Sequence, residues 1–283
     1  MPAGLPSSGR SYPHPVTTTT APSALMIDGY LVPQGEVARV LLDDGLVRGD
    51  GVFEGMRLYG RRPRTPHEHL ERLARSAATV GLALDRALLE RELTEFADLT
   101  AEPDCSVRLM VTRNGQRIWR EEALLPPSPG LRLLPVPHRV TPLLVGAKTL
   151  SYGANMQAKR LAAAAGCDDA LLVRADDDLV LEAPTMAFGW IEGGTLVFPP
   201  LGLGVLDSIT RRIAARALPV REREARLEEL AGADGALLMS TLQEAQPVAE
   251  VQGVVSFDPA APRVREVAGA IHEAIAAEVA ATA

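Results

Sequence analysis

The chain has 283 residues, 47% of them hydrophobic, enough to fill a sizeable core and to exclude wholesale disorder. No stretch reaches the apolar length that a membrane span requires, and a formal net charge of -7 argues against nucleic acid as a partner. Two cysteines, Cys105 and Cys167, and five scattered histidines point to neither a disulfide framework nor a metal site.

Residues 1–23 are rich in Pro, Ser and Thr, lack apolar periodicity and contain no signal-peptide core. They are expected to form a flexible N-terminal tail on a cytoplasmic protein. Alternating apolar residues predict strands over 25–32 and 51–58. Thr65-Pro66-His67-Glu68 reads as a capping box with proline at the first helical position, and Leu70, Leu73, Ala77 and Val80 then recur at helical spacing up to Gly81. A second helix is expected over 86–99 and a strand over 106–112. Prolines 126, 127, 129, 135, 137 and 142 leave room for a strand near 131–134 and suggest an interdomain linker at 137–144. A helix over 154–165 ends at Gly166. Short strands follow over 170–174, 179–182, 186–191 and 195–198, then a helix over 208–217, a strand over 235–239 and an Ala-rich helix over 262–280. The pattern predicts an α+β protein of two lobes, a small domain at 24–136 and a large one at 145–283.

Only two of the 29 basic side chains are lysines, Lys148 and Lys159. A lysine amine deprotonates and forms a Schiff base, whereas a guanidinium stays charged. Lys148 follows the apolar run Leu143 to Val145, where partial desolvation lowers its proton affinity. On that segment alone, a strand-end lysine reaching into solvent is the plainer reading. Lys159 lies mid-helix beside Arg160, on what is expected to be a solvated face.

Three blocks recur in a telling order. The first is Gly49-Asp50-Gly51-Val52-Phe53-Glu54 with His69-Leu70-Glu71-Arg72-Leu73 and Ser76-Ala77. The second is Lys148-Thr149-Leu150-Ser151-Tyr152 with Asn155, Ala158-Lys159 and Gly166. The third is Leu181-Glu182, Phe188, Gly194-Thr195-Leu196, Pro199-Pro200 and Ser208-Ile209-Thr210-Arg211. Together, over residues 25–255, they resemble the fold-type IV pyridoxal-phosphate enzymes: branched-chain aminotransferases, D-amino-acid aminotransferases and aminodeoxychorismate lyases. The resemblance implies the two-lobed fold of the D-amino-acid aminotransferases, pyridoxal 5′-phosphate as cofactor, and a homodimer whose partner loops complete each site. It also implies small amino acids and keto acids as partners, with no metal, nucleic acid or membrane.

By the same resemblance, Lys148 holds the cofactor as a Schiff base and moves the substrate proton. Glu182 faces the pyridine nitrogen, because a protonated ring is the electron sink. Arg72, the amides of Ser208, Ile209 and Thr210, and the Thr241 hydroxyl form a phosphate cup, with Asp207 capping the helix. Without the resemblance, Glu182 reads as an exposed strand end and Arg72 as a solvated helix arginine. Arg113-Asn114-Gly115-Gln116-Arg117 resembles the Arg-Gly turn of the D-amino-acid transferases and lyases, making Arg117 the candidate for the substrate α-carboxylate. Arg57 and Arg48 are further candidates, and Phe53 and Trp119 candidate pocket walls. Phe53-Glu54-Gly55-Met56-Arg57 instead looks like the branched-chain enzymes. The implied activity is transfer of an amino group from an amino acid, D-amino acids favoured and (R)-amines included, to a 2-keto acid. The alternatives are 4-amino-4-deoxychorismate lyase, which releases pyruvate, and a branched-chain L-amino-acid aminotransferase. Ser208 in place of a frequent Gly, Ser151 in place of Asn, and Ala183-Pro184-Thr185-Met186-Ala187 depart from the usual pattern; the last two bear on the substrate class.

Overall fold

The computed structural model describes residues 24–33 and 42–281, and the tail expected at 1–23 lies outside them. The first half forms β1 (Leu25–Ile27), β2 (Tyr30–Leu31), α1 (Asp44–Arg48), β3 (Gly51–Tyr59), β4 (Arg62–Pro63), α2 (Pro66–Thr79), α3 (Arg86–Leu99), β5 (Ser106–Thr112) and β6 (Arg117–Glu122). Its strands make one antiparallel sheet in the order β2-β1-β6-β5-β3-β4. Strand side chains alternate between faces. Val52, Met56, Leu58, Val107, Leu109, Val111 and Trp119 therefore share one face, packed against Leu70 and Leu73 of α2 and Leu89, Leu93 and Phe96 of α3. Phe53, Gly55 and Arg108 fall on the other.

The capping box expected at Thr65 does not form. Thr65 adopts a left-handed φ of 46° with no side-chain cap bond, and its hydroxyl is buried without a partner. That left-handed backbone differs from the extended conformation in which an N-cap side chain reaches the amides of the first turn.

The second half forms β7 (Leu131–His138), α4 (Gly153–Ala164), β8 (Asp169–Arg174), β9 (Ala187–Glu192), β10 (Thr195–Phe198), α5 (Ile209–Ala217), β11 (Val220–Glu222), β12 (Gly235–Ser240), β13 (Glu244–Val251), β14 (Val255–Ser256) and α6 (Pro262–Ala281). These strands build a mixed sheet, β11-β10-β9-β12-β13-β7-β8, with β14 paired to β13. Ile209 and Ile213 of α5 and Val264, Ile271 and Ile275 of α6 cover one face.

The strand expected near 131–134, assigned by sequence to the first lobe, joins this second sheet instead. It runs parallel to both β13 and β8, and its Leu131 and Leu133 are buried with Val248 and Val251. The chain thus passes between sheets at 123–130, ahead of the expected 137–144 linker. The strand expected over 179–182 is reduced to isolated bridges, Val173 to Val180 and Leu179 to Arg226. The sequence reading missed β13, whose Pro247 and polar Glu244 and Gln246 disguise it.

Candidate active site

The segment at residues 148–150 lies alongside β3, bridged to it between Thr149 and Val52. Phe53 N donates to Lys148 O at 3.0 Å and Leu150 N to Gly51 O at 2.9 Å. Gly51 is required there, because a Cβ would run into Val111 O and the Leu150 side chain. Lys148 N donates to Ser76 Oγ at 3.0 Å, and Ser76 Oγ donates to Arg72 O at 2.9 Å, so α2 fixes the lysine backbone. The amine sits 4.2 Å from the Phe53 ring centroid and 5.7 Å from that of Tyr152, two rings packed edge to face. Burial, reinforced by the Arg72 charge, pulls the Lys148 amine down to about 8.

That amine opens into a cavity of about 720 Å³ between the two sheets, also lined by Phe53, Arg72, Glu182, Ser208 and Thr241. Both Glu182 carboxylate oxygens accept from Leu206 N–H, at 3.1 and 3.2 Å. Burial still pushes Glu182 up to about 7, against the opposing pull of that N–H and of Lys148.

Arg72 is held from behind. Its Nε and Nη2 donate to the two oxygens of Glu54 at 2.7 and 2.8 Å, and Nη1 donates to Asp207 O at 3.2 Å. Glu54 is fully buried. Burial alone would raise its carboxyl, but the Arg72 charge and the Arg72 and His69 hydrogen bonds outweigh it and hold the group well below the usual range. His69 Nδ1 lies 2.9 Å from Glu54, and Nε2 lies 3.4 Å from Thr241 Oγ1. Burial lowers the imidazole despite the carboxylate beside it, so His69 is the neutral link between Glu54 and Thr241. The sequence blocks contain Glu54 and His69, but only folding shows that they meet Arg72.

Ser208, rather than the expected Asp207, caps α5, its Oγ accepting from Arg211 N at 3.4 Å. Asp207 is drawn away by Arg212, whose Nε donates to it at 2.9 Å. The first-turn amides of Ile209 and Thr210 have no partner within the helix, as at any helix start. Thr210 Oγ1 is buried without a hydrogen-bond partner. An orphaned hydroxyl, first-turn amides, Ser208, Arg72 and Thr241 fit a phosphate. A depressed amine and a buried carboxylate in the same cavity fit the rest of pyridoxal phosphate.

Four expected substrate contacts lie outside this cavity. Arg117 and Trp119 share the parity of Val111 and Leu109, their partners across β5, and therefore face α3. There Arg117 Nε and Trp119 Nε1 both donate to Glu92 at 2.9 Å, and Arg117 also pairs with Asp28 at 3.5 Å. Arg57 is taken up by Glu244 Oε1 at 2.9 Å and Leu242 O at 3.2 Å. Arg48 is exposed on α1 beside Asp44. Besides Arg72, the arginine that lines the cavity among the described residues is Arg108, with Glu122, Tyr152 and Asn155. Arg108 was detectable, since a charge set between Val107 and Leu109 must lie on the face opposite the core.

The family model for class IV amino-transferases matches residues 51–251. A D-alanine aminotransferase of Bacillus licheniformis is 28% identical over 282 residues, spanning 91% of this chain and 99% of that one. The branched-chain aminotransferase of the archaeon Thermoproteus uzoniensis, solved with norvaline, superposes with a TM-score of 0.79 at 26% identity, covering 90% of this chain and 95% of that chain. The 4-amino-4-deoxychorismate lyase of Pseudomonas aeruginosa superposes at 0.75 and 25% identity, covering 88% and 98%. The chain belongs to the class IV aminotransferase family. It is a pyridoxal-phosphate-dependent aminotransferase of fold type IV. Among the described residues no group of side chains forms a metal site, and no helix is long and apolar enough to cross a membrane.

Proposed function

We propose that this enzyme moves the amino group of a small D-amino acid, such as D-alanine or D-glutamate, onto a 2-keto acid. The roles rest on one observation: a lysine amine lowered to about 8 shares a cavity with Glu182 and Arg72. The preference for D-donors is supported by the match to a D-alanine aminotransferase over nearly its full length.

Pyridoxal phosphate supplies the electron sink that acidifies the substrate Cα–H. Lys148 Nζ would be the amine that holds the cofactor, and it is placed to take the substrate Cα proton as general base. Glu182 provides the carboxylate for the ring nitrogen. Arg72, Ser208, Thr241 and the Ile209 and Thr210 amides hold the phosphate, and Glu54 with His69 keeps Arg72 and Thr241 in place. Phe53 and Tyr152 shield the Lys148 amine from water. Arg108, rather than Arg117, is the cavity arginine available to a carboxylate at the far end of a substrate. The same reading makes the enzyme a cytoplasmic homodimer, a state that static light scattering tests.

The deciding experiment is a panel of D-amino acids, L-leucine, L-valine and an (R)-amine, each with pyruvate and 2-oxoglutarate. D-alanine or D-glutamate is expected to be fastest. L-leucine as best donor would move the enzyme to the branched-chain side. Pyruvate release from aminodeoxychorismate without any transfer would make it a lyase.

A further inference from the structure

Arg108 does not stand free in the cavity. Its Nε and Nη2 donate to Glu122 Oε1 and Oε2 at 2.8 and 2.9 Å, a two-pronged pair on side chains 31% and 24% exposed, and both residues line the cavity. The guanidinium lies 5.2 Å from the Phe53 ring centroid, the same ring that meets the Lys148 amine. Strand β3 runs between the 148–150 segment and β5, so the two cations flank Phe53 from opposite sides, two strand spacings or roughly 10 Å apart at the backbone. Gly55, directly across from Arg108, offers no side chain to intervene.

This layout separates two kinds of carboxylate. The α-carboxylate is attached directly to the carbon that reacts at Lys148. A guanidinium on the far flank of Phe53 is placed for a carboxylate at the other end of a longer substrate. Glu122 occupies the donors that such a group needs.

We infer that Glu122 is a specificity-determining residue: it competes with the distal carboxylate of dicarboxylic substrates for Arg108. While paired, Arg108 and Glu122 present a neutral wall suited to short or apolar side chains. A substrate such as 2-oxoglutarate must displace Glu122 to gain the same two hydrogen bonds. The inference rests on the assignment of Lys148 as the reacting amine.

The test compares kcat/KM for 2-oxoglutarate and for pyruvate in the holoenzyme, with D-alanine as donor for the first and D-glutamate for the second. In Glu122→Gln the ratio of the two is expected to rise about tenfold, the scale of one charge-assisted contact. Using the ratio cancels any general loss of activity. Glu122→Ala serves as a second variant should the first fold poorly. On an Arg108→Met background, Glu122→Gln should leave the ratio unmoved. An equal change for both keto acids would overturn the inference and place the α-carboxylate on Arg108; an unchanged ratio in a folded Glu122→Gln enzyme would also overturn it. Failure of the underlying reading looks different: the wild-type enzyme would retain its cofactor on a residue other than Lys148.

Discussion

Glu54→Gln changes one buried oxygen to an amide and leaves Arg72 a guanidinium without its counter-charge. Arg72 keeps its bond to Asp207 O, but two of its donors lose a carboxylate on side chains only 6% and 0% exposed. Removing one partner of such a buried pair costs about 3–5 kcal/mol. Retention of shape and of the Asp207 contact places the expected loss near the lower end, about 3 kcal/mol. Urea unfolding of the cofactor-free protein at neutral pH measures it. Arg72→Met and the double variant close a cycle in which the double should be less destabilised than the sum of the singles. The pH dependence gives a second check. Glu54 titrates lower in the folded chain than its ordinary 4.5. Its contribution is therefore full above that value and is lost as pH falls below it towards the folded value. The wild type should lose stability between about pH 4.5 and about pH 3 more steeply than Glu54→Gln. A Gln variant within about 1 kcal/mol of wild type, or a cycle showing no coupling, would refute the network.

Lys148→Ala should abolish covalent cofactor attachment and turnover, while Lys159→Ala, whose amine is bound to buried Asp169 at 2.7 Å, should retain both and lose only stability; peptide mass spectrometry after borohydride reduction identifies the lysine. Attachment needs the unprotonated amine, so the rate at which the cofactor-free protein takes up pyridoxal phosphate should climb with pH and level off above about 8; a flat profile from pH 6 to 9 would contradict the depressed amine. Arg117→Ala should destabilise the protein by about 1–3 kcal/mol, since buried Glu92 loses its guanidinium, without shifting the ratio of D-alanine to (R)-amine turnover. A selective loss of amino-acid donors in that variant would restore Arg117 to the substrate site.

Much of this site follows from local chemistry. That one of two lysines carries the amine chemistry is legible because an amine and a guanidinium differ covalently, whatever surrounds them; the choice of Lys148 over Lys159 came from the resemblance. Helices α2, α3 and α6 are legible because a 3.6-residue period is a property of neighbouring positions. Glu182, Arg72 and Ser208 came from ordered blocks whose meaning lies in resemblance; their period alone says solvent. What tertiary structure decided is which side of each strand received the cavity. Alternation along β6 divides Arg117 and Trp119 from Arg120 and Glu122, but does not say which set a helix will cover. Helix α3 settled it by bringing Glu92 onto the Arg117 side, which left Arg108 and Glu122 of the opposite face to line the cleft. The parallel pairing of β7 with β13 was likewise out of reach, because it joins segments more than a hundred residues apart whose contact neither segment's own pattern encodes.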